Sequence, residues 1–249
     1  ETCAAAALTG AITDPRTPGN PITVTAPTQY VTEDTMIIEP PSAEEAEDVK
    51  VIRGPNIRPV PIADPLPDTL KQRVLLKVGD NVTTDHIMPA GAKILPLRSN
   101  IPEISKYVFA RVDPDFVERA ESWGGGALVG GANYGQGSSR EHAALAPMYL
   151  GVKAVLAKSY SRIHHANLVN MGMLPLTFAN EADYDTLEQG DTLEISGIRE
   201  ALNHGGRIQV QNRTQSRSYE THVELTARQR RILLAGGLLN FYRSGEADA

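Results

Sequence analysis

The 249-residue chain holds a single cysteine, Cys3. A lone thiol excludes a disulfide framework, and it excludes a zinc or iron–sulfur centre built from cysteines of this chain alone. Aromatic residues are scarce as well, at 5%, which leaves little material for a base-stacking surface. There is no excess of positive charge: the formal net charge is −6, a balance that argues against a dominant nucleic-acid or anionic-membrane surface. No apolar run approaches membrane-spanning length and no secretory pattern opens the sequence, so a cytoplasmic protein without a membrane partner is expected. An initiating methionine is missing too. The first residues, ETCAAAALTG, read as a helix tail closed by Gly10, so the chain is expected to begin in the middle of a fold.

What is present is enough for a substantial core: 41% of the residues are apolar, compatible with one domain and a tail or with two small domains. From Pro15 to Pro67 the composition turns to proline, threonine and acid, with one candidate strand near Thr35 to Ile38 and an acidic run at Glu44 to Asp48. Prolines 55, 59, 61, 65 and 67 favour an extended, polyproline-like linker, with simple disorder as the alternative. A compact domain is expected from Leu70. It opens with a strand at Val74 to Val78 and a polar loop at Gly79 to Pro89, followed by Arg98 in a proline-bounded loop and a helix at Asp113 to Ser122. A buried strand ends at Ala127 to Val129, and a helix is expected from Arg140 to Leu150. Strands at Lys153 to Ala157, Leu174 to Phe178 and Thr192 to Ile195 then alternate with helices at Ser159 to Met171 and Asp183 to Gln189, which implies parallel pairing. A hairpin (Arg207 to Gln211 with Tyr219 to Leu225) and a helix from Thr226 to Phe241, interrupted by Gly236 and Gly237, complete the pattern.

The chemistry is concentrated in Val129 to His142, VGGANYGQGSSREH. This strand-to-helix turn is not a Walker A loop, because Gly137 stands where that loop needs lysine. It is not a dinucleotide fingerprint, because Arg140 occupies the third glycine position, and Glu141 removes a glycine required by a hydrolase elbow around Ser139. What remains is a serine pair expected at a helix N-terminus, followed by an arginine. That combination suits a carboxylate gripped by a fork of N–H donors. The plain alternative is that a serine caps the helix and Arg140 is solvated.

GSSREHAAL, together with NVTTDHIMPAG upstream, resembles the swivel domain of aconitases, and the same core is similar to that of the isopropylmalate isomerase small subunit. The likeness continues through GPNIRP (Gly54 to Pro59), AKSYSRIHHANLVNMGMLPL, GDTLEI and ILLAGGLLNF, and ETCAAAALTGAITDPR resembles the end of the preceding aconitase domain. The resemblance implies an α/β, swivelling β/β/α domain of three layers, with a central parallel sheet and a second antiparallel sheet. It divides the chain into residues 1–14 as the tail of a catalytic domain, 15–69 as an interdomain linker and 70–249 as the swivel domain. It also implies reversible isomerisation of citrate and isocitrate through cis-aconitate, with a 4Fe-4S cluster as Lewis acid and a serine alkoxide as base. On that reading Ser138 is the catalytic base and Arg98, Ser139 and Arg140 bind substrate carboxylates. Asp85 and His86, in the T-T-D-H loop, lie behind them, Asp85 orienting an arginine or merely closing an Asx turn.

The resemblance assigns His142 a packing or helix role and gives Cys3 no place in a cluster. His164 and His165, adjacent on one helix, face different ways, so one buried and one exposed is expected. The cysteines that hold the cluster belong to family domains absent from this chain, so its partner is expected to be the cluster-bearing part of the enzyme, and the missing methionine favours an excised portion. Two alternatives stand beside this: the small subunit of an isopropylmalate or homoaconitate-type isomerase, against which Lys93 to Asn100 with Arg98 looks citrate-type, and an RNA-binding role, which the acidic balance disfavours. Reconstituted anaerobically with iron and sulfide, the isolated chain should develop no cluster absorbance and no aconitase activity. Turnover by this chain alone would overturn that division of labour.

Overall fold

The computed structural model describes residues 1–19 and 23–245; positions 20–22 of the expected linker and 246–249 of the expected swivel domain lie outside them. The chain separates into two units, Glu1–Val51 and Ile52–Ala249. In the first, the alanine run forms α1 (Thr2–Thr9), stopped by Gly10 at φ 71°, a conformation that costs glycine little. A one-turn helix, α2 (Ala43–Ala46), rises from the acidic run because Ser42 and Glu45 complete a reciprocal capping box. The strand expected at Thr35 to Ile38 is instead a turn, in which Ile37 N–H donates to Asp34 O at 2.9 Å. Met36, Ile37 and Ile38 are exposed, and a solitary strand leaves its backbone groups unpaired.

The second unit runs β1 (Leu70–Lys77), α3 (Thr84–Ile87), α4 (Ile101–Ile104), α5 (Phe116–Trp123), β2 (Gly126–Gly130), α6 (His142–Tyr149), β3 (Val152–Ala157), α7 (Arg162–Asn170), β4 (Leu174–Phe178), α8 (Asp183–Thr186), β5 (Thr192–Ile195), α9 (Ile198–Asn203), β6 (Arg207–Asn212), β7 (Arg217–His222), α10 (Ala227–Leu234) and α11 (Leu238–Arg243). The single terminal helix read from the sequence is thus α10 and α11, parted at Gly236 and Gly237. Among the described residues no helix is long and apolar enough to cross a membrane.

Strands β1 to β4 pair in parallel, as the strand–helix alternation implies. The expected layering, with a separate antiparallel sheet, is not what forms. All seven strands of the described residues close into one barrel in the order β1-β2-β3-β4-β7-β6-β5. Closure has two causes. β1 is longer than expected, so Val74, Leu76 and Lys77 pair with β2 while Leu70 to Arg73 pair with β5. On the far side Thr177 and Phe178, at the end of β4, pair with His222 and Thr221 of β7.

Where they pair in parallel the strands are buried on both faces, which is why Val74 to Leu76, Ala127 to Val129 and Ala154 to Ala157 read as apolar runs. Val74, Ala127, Val129, Ala154 and Leu156 join one cluster, completed by residues of α7, α9, α10 and α11. Leu75, Leu128, Val155 and Ala157 join a second, under α4, α5 and α6, where Phe109 and Phe116 meet edge to face at 4.9 Å. The two clusters hold β2 rigidly, and β2 delivers the motif loop.

A methyl group added at Gly126 would stand 2.3 Å from Arg73 O and 2.6 Å from Leu75 Cγ. Gly126→Ala should therefore push β1 and β2 apart, costing about 2 kcal/mol or more and lowering Tm by roughly 4–8 °C. Nothing lies within 4 Å of the same group at Gly79, so Gly79→Ala should melt close to the parent; equal melting of both variants by calorimetry would refute this account.

Candidate functional site

The loop after β2 has little regular structure, and its backbone is satisfied by the loops following its two neighbours. On the β1 side Asn81 N–H donates to Ala132 O, Gly135 N–H to Val82 O and Thr84 N–H to Gln136 O, each at 2.8 Å. On the β3 side Tyr134 N–H donates to Ser159 O and Ser161 N–H to Tyr134 O, both at 2.9 Å. The segment that precedes the serines is therefore stitched between the carboxyl ends of three adjacent parallel strands, the usual ligand-binding end of such a sheet. Gly135 sits at φ 82°, and a Cβ there would strike the ring of His164 at 2.2 Å.

Helix α6 begins at His142, with Glu141 as its N-cap and no side-chain cap bond. Ser138 and Ser139 accordingly lie in the loop ahead of the helix, not at its N-terminus as expected, and neither acts as its cap. The reason is local: Ala143 and Ala144 donate to the Arg140 and Glu141 carbonyls, so the first turn closes on those residues. Both serines are exposed. Ser138 Oγ lies 3.4 Å from the hydroxyl of the buried Thr84, the first residue of α3.

Arg140 is partly buried and held. Its Nη1 donates to Asp85 Oδ1 at 2.6 Å and to Met88 O at 3.2 Å, and its Nη2 to Asp85 Oδ2 at 3.3 Å. Donors on Nε and Nη2 are left for an incoming anion. The guanidinium bonds hold the Asp85 carboxyl below its usual range, with smaller help from the Ala90 N–H and the Arg111 charge. A depressed folded pKa means the pair stabilises the protein above the ordinary aspartate range and fades only as pH falls through the lowered value, so it is fully formed at neutrality. His86 does not reach this pair. Its Nδ1 accepts from Thr83 N–H at 3.1 Å while Thr83 Oγ1 accepts from His86 N–H at 3.2 Å, a capping box that shapes α3 and so places Asp85.

Arg98 ends the 3-10 turn Leu95–Leu97, with its side chain exposed. Its carbonyl is bonded to His142 Nε2 at 2.8 Å, which ties its loop to the start of α6. A carbonyl only accepts, so Nε2 must carry the proton. Of the histidine pair, His164 is buried against Tyr134 and His165 is partly covered at the edge of Tyr160, so neither is the exposed member expected. Both ring nitrogens of His164 lack a partner, and burial pushes its pKa down to about 4, keeping it neutral near pH 7. Thr84 and Met88 are the contributors that the sequence reading missed, and of these only Thr84, next to Asp85 in the T-T-D-H run, carried a signal that could have found it; His142, expected in a packing or helix role, holds the Arg98 carbonyl.

The described residues of this chain do not fit an iron–sulfur cluster. Cys3 is exposed in α1, and among the described residues no three His, Cys, Asp or Glu side chains gather as metal ligands.

The family described as the aconitase C-terminal domain matches residues 98–181. The 3-isopropylmalate dehydratase small subunit 2 of Archaeoglobus fulgidus is 40% identical, over 67% of this chain and 91% of that protein. A probable mitochondrial aconitate hydratase of Dictyostelium discoideum is 35% identical over 72% of this chain, and the chain spans only 26% of its length. A solved structure of 3-isopropylmalate dehydratase from Methanocaldococcus jannaschii superposes with a TM-score of 0.59 at 31% identity, covering 72% of this chain and 96% of that one. The family match spans the loops that hold Arg98 and Arg140, and the chain belongs to the aconitase family of hydro-lyases, as its C-terminal-domain or small-subunit type.

Proposed function

We propose that the chain supplies the proton-handling and carboxylate-binding half of an aconitase active site, for reversible isomerisation of citrate and isocitrate through cis-aconitate. The observation that carries the reading is Arg140, fixed by Asp85 and Met88 in the same loop as Ser138, with donors left over. Two arginines, Arg98 and Arg140, suit a substrate with three carboxylates, and Ser139 adds a hydroxyl to the same grip. Ser138, as alkoxide, takes the proton from the carbon beside a carboxylate, and the electron pair released forms the double bond as the hydroxyl leaves the neighbouring carbon. A serine alkoxide is too basic to persist in water unless a positive charge faces it, and with the helix start displaced to His142 that task falls to Arg140. Rehydration runs the same proton transfer backwards.

Activation of the departing hydroxyl lies outside this chain, in the cluster-bearing domains of the complete enzyme. On this proposal residues 1–14 close a preceding catalytic domain, 15–69 connect it, and 70–249 form the swivel domain. The second reading, a separate small subunit for an isopropylmalate or homoaconitate-type substrate, is favoured by the near-complete coverage of the Archaeoglobus fulgidus subunit and by 36% identity to a homoaconitase small subunit of Methanocaldococcus jannaschii. Arg98 and its loop favour the tricarboxylate.

Steady-state rates of the complete enzyme, with cluster content matched by absorbance, test the roles. Ser138→Ala should leave citrate affinity near normal while kcat falls on the order of 100-fold or more. Arg98→Lys should chiefly raise KM, roughly 10- to 100-fold, by losing the planar fork, and Arg140→Lys should damage both parameters. Near-normal turnover of Ser138→Ala would remove Ser138 as the base.

A further inference from the structure

The Gly54–Pro59 segment, GPNIRP, has no task in the reaction described so far, although the structure binds it to the loop carrying Arg98. Asn56 Nδ2 donates to Pro96 O at 2.9 Å, and Arg58 N–H donates to Ser99 O at 2.8 Å. Asn100, buried at the end of the loop, returns a bond through its Nδ2 to Asn56 Oδ1 at 3.2 Å and caps α4 with its own Oδ1. From the start of α6 His142 Nε2 holds Arg98 O at 2.8 Å. Carbonyls of Pro96, Arg98 and Ser99 are thus taken by donors from outside the loop, in a stretch otherwise held by short local turns. The Arg98 side chain itself is exposed, so its reach depends on where this backbone is held.

We infer that Asn56 and His142 are positioning residues for substrate recognition: together they brace the Arg98 backbone and set where its guanidinium meets a substrate carboxylate. The inference rests on the reading of Arg98 given above. It assigns the Gly54–Pro59 segment a specificity role, because a change in that segment would re-aim Arg98 while Ser138 and Arg140, held by Thr84 and Asp85, stayed in place. The brace does not depend on histidine charge, since a neutral ring protonated at Nε2 and an imidazolium both donate to a carbonyl.

The test uses the complete enzyme with its cluster-bearing part, comparing Asn56→Asp, His142→Ala and His142→Gln, each alone and in the Arg98→Lys background. Asn56→Asp keeps the size and the acceptor for Asn100 but loses the donor to Pro96 O. Asn56→Asp and His142→Ala should each raise KM for citrate about five- to tenfold with kcat within about twofold of the parent. His142→Gln, whose amide also ends in a donor, should recover most of the loss. In the Arg98→Lys background the Asn56→Asp increment should vanish, a result that a purely structural role would not produce. Unchanged KM in both single variants, or a full increment persisting without Arg98, overturns the brace. If Arg98→Lys itself leaves KM unaltered, the reading of Arg98 has failed and the brace falls with it, so the two failures are told apart.

Discussion

The site rests on one constraint: a loop without regular structure must still satisfy its backbone, and this one does so by borrowing from both flanking loops. Val82, Thr84 and Asn81 serve it on one side and Ser159 and Ser161 on the other. Each borrowed bond is modest, about 1 kcal/mol net, yet an unpaired buried group costs as much or more, so the loop has few alternative arrangements. Rigid β2 below, packed on both faces, gives these bonds a fixed platform. The electrostatics are built on that platform: Asp85 arrives on α3 from the β1 side and Arg140 on the loop from β2, and they meet because the two loops are already stitched together.

What the motif is not was readable from residue types alone. Failure of three familiar phosphate and nucleophile loops at Gly137, Arg140 and Glu141 left two readings open, a carboxylate grip or a serine cap with a solvated arginine, and the structure removes the cap and sets Arg140 against Asp85 without saturating its donors. The alternation of strands and helices announced the parallel half of the sheet for the same reason, since periodicity is a local property. Other features depended on partners distant in sequence. Leu70 to Arg73 reads as a polar approach to a strand, and only its pairing with Thr192 to Ile195 makes it part of one. The closed sheet follows from that pairing and could not be inferred from either segment.

Some local signals were present but outweighed. S-x-x-E at Ser42 to Glu45 is a capping box, and it made a helix where composition suggested only an acidic run. Met36 to Ile38 had strand-forming residues but no strand to receive them. The displaced start of α6 bears most on the chemistry. On the proposed mechanism, a helix beginning at Arg140 would have offered its free amides to Ser138, whereas one beginning at His142 shifts the burden of charge stabilisation to a single guanidinium, and so to Asp85, which holds it.

Closure of the seven-stranded sheet has a consequence for assembly. An open sheet presents a rim of unpaired N–H and C=O groups onto which another chain can add a strand, and here β1, which would be such a rim, is flanked by β2 and β5. Recognition by ribbon extension is therefore unavailable to this sheet. A polypeptide that meets this unit thus meets its loops and helices and not a free strand edge.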